Sequence, residues 1–237
     1  MSSTTLQGTP NPEAPNPQLP IVQKLRIRYA KRGRLRFTSH RDFGRAFERA
    51  VRRARVPIAY SSGFTPHPKI SYANAAPTGA ASEAEFLEIG LTRACDPERI
   101  RASLDDALPP GLDVVAVVPA VSGSLADRLE ASLWRIEAPG ASGLEVAAET
   151  FLAAEEFTTP RMTKRGLRDI DVRGAAVSLR VEGSTVEAVV RSTVPTVRPD
   201  DVVSALKAAG AEVPGVLVAT RVEQGPLVGD TVTDPLA

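Results

Sequence analysis

From Lys24 onward, strand-like and helix-like segments follow one another in a definite order, which constrains the fold more than any other feature. Residues 24–30 alternate apolar and charged side chains, as in a half-buried strand. Gly33 then turns the chain, and Leu35 and Phe37 are predicted to return it as a strand. From Ser39, apolar residues recur at helical spacing as far as Pro57, which predicts an amphipathic helix.

The later segments complete this order and then repeat it. The first half adds a strand from Ile70, a strand over 84–92, a helix from 96 or 97 to 108 and a strand over 112–118. The second half is predicted as a strand over 131–138, a helix over 144–154, a strand near 155–160, a hairpin of 175–182 with 185–192, a helix over 199–209 and a strand over 215–223. We predict an α+β fold of two tandem ferredoxin-like (βαββαβ) halves with antiparallel sheets.

Composition sets the borders of these halves. Five prolines among polar residues predict a disordered Pro-rich N-terminal tail. The predicted divisions are therefore the tail 1–20, a basic half 21–119, a linker 120–130 with a short helix, a second half 131–224 and a C-terminal tail 225–237.

Charge is strongly polarised along the chain. Residues 24–69 contain fourteen Lys or Arg and only two acids, Asp42 and Glu48, a formal charge of +12, whereas the whole chain carries +1. A clustered positive field attracts phosphate backbones or acidic protein surfaces. The first helix carries Arg41, Arg45, Arg49 and Arg53 at intervals of four residues, with Arg52 beside them, which predicts a cationic stripe on a face other than its apolar one.

The sequence also excludes several classes of protein. Cys95 is the single cysteine, so this chain has no internal disulfide and no cysteine-rich metal or iron–sulfur site of its own. No apolar run is long enough to span a membrane, and the N-terminus lacks a secretory pattern. We expect a soluble cytoplasmic protein with no membrane partner, no metal site and no cofactor in this chain.

A basic surface is the candidate binding site. This surface would combine the predicted solvent-exposed face of the first strand, the arginine stripe of the first helix, the loop 60–70 and a basic segment of the second half. We expect phosphates of nucleic acid, or an acidic partner, to meet Arg26, Arg28, Arg41, Arg45, Arg49, Arg52, Arg53, His67, Lys69, Lys164, Arg165, Arg168 and Arg173. An alternative is that arginine only solvates a helix face.

The alternative to a binding protein is an enzyme. His40, Asp42 and His67 could cooperate in proton transfer, since an imidazole titrates near neutral pH and a carboxylate can orient it. Helix capping and a loop hydrogen bond would explain the same residues without catalysis. No nucleophile or phosphate-binding loop joins them, so a noncatalytic role is favoured.

Two motifs carry a resemblance to a known family. Ser39, His40 and Asp42 form an S-H-x-D pattern before the Arg-bearing helix, and residues 60–69 read Y-S-S-G-F-T-P-H-P-K. Residues 163–166, 171–173 and 198–201 match in the second half. Over about residues 24–223 the chain resembles the bacterial radical-SAM-linked proteins, a domain of uncharacterised function.

The resemblance implies association rather than a known reaction. Members of that family are fused to, or encoded beside, radical S-adenosylmethionine proteins, and in some genomes near ribonuclease and ribosomal-protein genes. The chain has no C-x-x-x-C-x-x-C triad, so the partner would carry the iron–sulfur cluster and S-adenosylmethionine. We therefore expect an accessory protein that presents RNA or a ribosome-related nucleoprotein to such a partner.

Overall fold

The computed structural model describes residues 19–62, 64–163 and 166–237. Most of the predicted tail 1–20, together with Gly63, Lys164 and Arg165, lies outside the described residues. The helices are α1 (His40–Arg53), α2 (Pro97–Ala107), α3 (Leu144–Ala153) and α4 (Pro199–Ala208). The strands are β1 (Gln23–Lys31), β2 (Ile70–Ala73), β3 (Ala81–Leu91), β4 (Leu112–Pro119), β5 (Ala131–Glu137), β6 (Thr158–Thr163), β7 (Gly166–Asp171), β8 (Ala176–Glu182), β9 (Thr185–Arg191), β10 (Val218–Gly225), β11 (Leu227–Val228) and β12 (Thr231–Val232).

The protein is a mixed α/β structure built on antiparallel sheets. Its main sheet has eight strands in the order β4-β1-β3-β10-β5-β9-β8, with β2 paired to β3. The strand β10 pairs with β3 in parallel at Thr220–Ala81 and Arg221–Ser82, and the other pairs are antiparallel. The short β2 leaves the first residues of β3 free for β10, so two halves of the chain share one continuous sheet.

Each half buries its own core beneath a pair of helices. In the first half, Leu25 and Ile27 of β1 pack with Phe47 of α1 and Leu104 of α2. In the second half, side chains of β5 and β9 pack beneath α3 and α4 around Phe151. The alternation of β1 places its charged residues on the sheet face away from α1.

Several segments differ from the sequence predictions. Residues Gly33–Phe37 form a 3-10 helix instead of the predicted returning strand, and the chain enters α1 directly from it. The strand expected near 155–160 is β6, and it pairs with β7, which the sequence did not predict. The predicted C-terminal tail contains the β11–β12 hairpin, whose Val232 is buried against β5 and β9.

The predicted linker 120–130 covers the sheet face that is turned away from α1 and α2. It contains a short 3-10 helix, Ala126–Arg128. Leu125 and Leu129 flank this helix and are buried in a small cluster with Phe86 of β3. The charged residues of β1 lie on this face, and the linker therefore shields part of it from solvent.

Tyr29, which is buried, and Tyr72, which is half-buried, are expected to make the fold sensitive to alkaline pH. Burial is the main cause that raises the pKa of Tyr29 and of Tyr72, with added repulsion from Glu85 and Glu48, respectively. Their contribution to stability is complete below the unfolded tyrosine pKa of about 10 and is lost as pH rises toward the folded values. The free energy of unfolding should therefore fall above pH ~10, and Tyr72→Phe should make that fall shallower.

The contribution of Lys31 to the free energy of unfolding changes with pH in the opposite direction to that of the tyrosines. Burial lowers its pKa, so Lys31 binds its proton less tightly in the folded protein than in the unfolded chain. Its contribution rises with pH until the unfolded lysine pKa of about 10.4 is passed. Urea unfolding measured over an alkaline pH series checks the prediction, and a Tyr72→Phe profile identical to the wild-type profile would contradict it.

Candidate nucleic-acid interface

The start of α1 is fixed by a local cap. The Ser39 hydroxyl accepts a hydrogen bond from the backbone N–H of Asp42 at 3.2 Å and donates to the Asp42 carboxylate at 2.7 Å. This satisfies one of the free N–H groups of the first helical turn. The capping interpretation of Ser39 and Asp42 therefore has direct geometric support.

One face of α1 displays four arginines, which we call the α1 arginine face. The opposite face buries Phe43, Phe47, Ala50 and Val51. All four guanidiniums are exposed, and within the described residues no acid lies within 4.0 Å of them; they belong to Arg41, Arg45, Arg49 and Arg52. Helical geometry spreads them over about 80° of the surface and about 16 Å of length. The helix thus presents a row of exposed cations, none of which forms a close ion pair with the described acids, Glu48 on the same helix included.

The prediction that Arg26 faces solvent is wrong. Its side chain is 1% exposed, and its guanidinium pairs with Glu88 at 3.3 Å. One terminal nitrogen also donates to the carbonyl oxygens of Val121 and Gly123, at 3.0 and 2.6 Å. The linker that follows β4 folds over this part of the sheet, so the Arg26 charge is used inside the protein.

Arg28 of β1 and Arg53 at the end of α1 are also engaged within the fold. Arg28 donates from Nε to the carbonyl of Glu83 at 2.8 Å. Arg53 donates to the carbonyl of Ala107 at 3.2 Å and so satisfies the C-terminal end of α2. The cations of β1 therefore lie on the other side of the sheet from the α1 arginine face, and the structure does not support the prediction of one contiguous basic surface.

The loop between α1 and β2 is held by backbone hydrogen bonds. The N–H of Ser61 donates to the carbonyl of His67 at 2.8 Å, and the N–H of His67 donates to the Ser61 hydroxyl at 3.0 Å. The N–H of Lys69 donates to Ala59 at 2.8 Å. His67 and Lys69 are exposed beside a groove of about 270 Å³ that Glu88 also lines.

The structure does not assemble His40, Asp42 and His67 into one catalytic group. The His40 ring packs edge-on against Tyr72, with 5.0 Å between centroids. Asp42 bonds to Ser39, and His67 borders the loop groove instead. No recorded hydrogen bond or ion pair links any two of the three among the residues that the structure describes, so proton transfer between them has no geometric support.

The basic residues of the second half divide between surface and interior. Arg168 is exposed on β7, across the hairpin from Arg161. Arg173 donates to the carbonyls of Leu152 and Ala176, at 3.2 and 3.4 Å, so it stabilises the fold locally. Lys164 and Arg165 are not among the described residues.

Sequence reasoning missed two exposed aromatic side chains in the first half. Phe37, in the 3-10 helix before α1, is 58% exposed, and Arg36 lies over its ring at 4.6 Å. Phe64 of the loop 60–69 is fully exposed. Neither residue lies in a ribonucleoprotein strand motif, yet an exposed ring beside a cation, as at Phe37, is suited to stack on an unpaired base.

A family comparison identifies the class of protein. A family model described as "Uncharacterized protein conserved in bacteria (DUF2344)" matches residues 24–199. The chain belongs to the DUF2344 family. The match begins at the first residue of the basic segment and ends at the start of α4, so it includes the α1 arginine face and the loop 60–69. The DUF2344 description names no reaction, partner or cofactor.

Other comparisons add no functional information. No curated protein matches the sequence. A solved structure titled "Crystal Structure of an Unknown Protein from Galdieria sulphuraria" is similar over 84% of this chain and 98% of its own, with 18% identity and a TM-score of 0.27. A similarity at that TM-score carries no argument about the fold. Of the helices in the described part of the chain, none has the length and hydrophobicity needed to cross a lipid bilayer.

Proposed function

We propose that this DUF2344 protein is a noncatalytic cytoplasmic accessory protein that binds the phosphate backbone of RNA and presents that RNA to a radical S-adenosylmethionine partner. The observation that carries the proposal is the α1 arginine face, where Arg41, Arg45, Arg49 and Arg52 are exposed and, among the described residues, form no ion pair within 4.0 Å. Guanidinium groups bind phosphate in a fork geometry, and such contacts supply most sequence-independent affinity for nucleic acid.

The exposed aromatic rings indicate the form of RNA that would bind. Phe37 precedes the α1 arginine face by one short turn, and its ring already lies under the Arg36 guanidinium. A ring in this position could stack on an unpaired base while α1 holds the adjoining backbone. We therefore favour a structured RNA that has a single-stranded loop or end over a continuous duplex.

The part of the proposal that concerns the radical S-adenosylmethionine partner follows from the sequence resemblance. Radical S-adenosylmethionine chemistry requires an iron–sulfur cluster, which three cysteines of the partner would hold, since this chain contains only Cys95. Cys95 is engaged locally, with its backbone N–H donating to the Gln23 side chain at 2.8 Å. In this scheme the cofactor and the reaction belong to the partner, and this protein supplies the RNA.

The strand order supports a finer description of the fold. We propose that residues 21–119 and 131–224 are two ferredoxin-like halves. In the first half the order β4-β1-β3-β2, and in the second the order β10-β5-β9-β8, places the last strand beside the first and the two middle strands together. Helices α1 and α2 fill the connecting positions in one half and α3 and α4 in the other, as in βαββαβ units.

Native co-purification tests the accessory role. Full-length protein recovered from its own cells should carry bound RNA and a polypeptide with a C-x-x-x-C-x-x-C motif. The Arg45→Glu plus Arg49→Glu variant should recover that polypeptide but lose most of the RNA, because the two contacts are separate in the proposal. Wild-type recovery of neither component would contradict the proposal, and undiminished RNA recovery by the variant would contradict the role of α1.

A further inference from the structure

A cavity lies at the junction of the two halves, and we call it the junction cavity. It has a volume of about 360 Å³ and lies between β5, β10, the loop after β2 and the segment that leads into α4. Its walls include Asn74 from the first half and Trp134 and Arg198 from the second. Small-molecule sites commonly have volumes of about 300–1,000 Å³ and often lie between structural units. A cavity of this size excludes an RNA helix.

A β-bulge builds the polar wall of the junction cavity. Opposite β5, Arg221 pairs with Trp134 and Gln224 pairs with Ser132, while the register shifts between Arg221 and Glu223. Residues three apart on a regular strand point to opposite faces. The extra residue of the bulge brings Arg221 and Gln224 to the same face as Trp134, and bulges that redirect side chains in this way are frequent beside functional sites.

Gln224 is a buried polar side chain whose amide oxygen faces no hydrogen-bond donor in the described part of the chain. It is 3% exposed, and among the described residues its Oε1 has no hydrogen-bond partner. Ser132, which lies opposite Gln224, is 7% exposed, and its hydroxyl makes no recorded hydrogen bond within the same described region. Buried polar atoms are paired in the great majority of native structures, so Gln224 Oε1, with the Ser132 side chain opposite it, is suited to a polar ligand.

Charge determines which kind of ligand the junction cavity fits. Arg191, Arg198 and Arg221 border it, whereas no Asp or Glu of the described chain does. Arg221 is held by Glu85, so the other two arginines supply the uncompensated charge at the rim. No ion pair of Arg191 or Arg198 is recorded among the described residues.

We propose that the junction cavity binds a small organic anion whose carboxylate or phosphate group meets the arginine rim. The amide of Gln224 and the hydroxyl of Ser132 would bind the polar body of that anion, because each can both donate and accept hydrogen bonds. This site lies in a different part of the molecule from the α1 arginine face and does not depend on the RNA proposal.

Trp134 provides a direct measurement, since it is the only tryptophan of the chain and lines the junction cavity. The full chain is titrated with inorganic phosphate and with succinate, each at constant ionic strength set with chloride. We expect a saturable change in Trp134 fluorescence with at least one of the two anions at about 1 mM or below. A response to phosphate alone identifies a phosphate ligand, and a response to succinate alone identifies a carboxylate ligand.

Matched variants locate the binding. Arg198→Gln and Gln224→Met should each weaken the response at least tenfold. Arg135→Gln should leave it unchanged, because Arg135 is the β5 neighbour of Trp134 on the opposite sheet face and pairs with Glu187 at 2.9 Å. No saturable response to either anion would overturn the proposal, and so would equal weakening by Arg135→Gln. Far-ultraviolet circular dichroism confirms that each variant is folded.

Discussion

Replacing Arg221 with alanine is expected to lower the free energy of unfolding by about 3–5 kcal/mol. Arg221 and Glu85 are 3% and 2% exposed and form a salt bridge where β10 meets β3. Arg221 also donates to the carbonyl of Asn74 at 2.8 Å, and the Glu85 carboxylate accepts the N–H of Ala76 at 3.1 Å. Removing the guanidinium leaves a buried carboxylate without its counterion at the only place where the two halves share strand pairing in the described main sheet.

An exposed pair on the neighbouring strand provides the control. Arg135 and Glu187 also form a cross-strand salt bridge, but their side chains are 50% and 39% exposed. Exposed pairs typically contribute about 0–1 kcal/mol, so Arg135→Ala should cost no more than that. Urea unfolding followed by circular dichroism measures both variants. Equal losses for Arg221→Ala and Arg135→Ala would show that the buried pair does not hold the halves together.

A second expected result concerns RNA binding by the α1 arginine face. Replacing Arg45 and Arg49 with glutamate should weaken binding of a stem-loop RNA by about 100-fold or more, since hydrogen bonds to charged groups contribute about 1.5–3 kcal/mol each. The loss should be similar for unrelated stem-loop sequences because phosphate contacts carry no base specificity. Filter retention or fluorescence anisotropy at fixed salt measures it.

The control for this result must keep the same net charge. Arg93 and Arg99 are exposed and lie away from α1 in sequence, and neither has a recorded ion pair among the described residues. Arg93→Glu plus Arg99→Glu therefore changes the total charge by the same amount as the α1 variant. If both variants weaken RNA binding equally, the effect comes from net charge and the α1 arginine face has no special role.

Individual helices and hairpins were largely predictable because the periodicity, capping and turn residues of each segment indicate the same element. The helix α1 shows apolar periodicity, a Ser39 cap and a stop before Pro57, and the structure places it at His40–Arg53. The β8–β9 hairpin likewise forms around Gly183, whose φ of +58° suits glycine. These elements depend on residues that are near one another in the sequence, so their patterns can be read directly.

The environment of Arg26 could not be predicted in the same way. Alternation along β1 shows correctly that Arg26 points away from Leu25 and Ile27, but it does not show whether that face meets solvent. The carbonyls that receive Arg26 belong to residues 95 and 97 positions later in the chain. The sequence therefore identified the direction of the side chain and missed its burial.

The junction of the halves depends on similarly distant residues. Arg221 and Glu85 are 136 positions apart, and the bulge that places Gln224 beside the junction cavity leaves no sequence signature of its own. By contrast, most of the α1 arginine face was predictable because Arg41, Arg45 and Arg49 recur every four residues on one helix, although the predicted fourth member, Arg53, bonds to Ala107 instead. The predicted surface was too large because it added cations from β1 that the fold uses internally.

The dependence of RNA affinity on salt tests the central claim most directly. Four phosphate contacts predict that the logarithm of the binding constant falls against the logarithm of salt concentration with a slope of about −3 to −4. Arg45→Glu plus Arg49→Glu should reduce the magnitude of that slope by about 2, while the Arg93 and Arg99 control keeps the wild-type value. A wild-type slope near zero, or one that the α1 variant leaves unchanged, would contradict binding of RNA through the α1 arginine face.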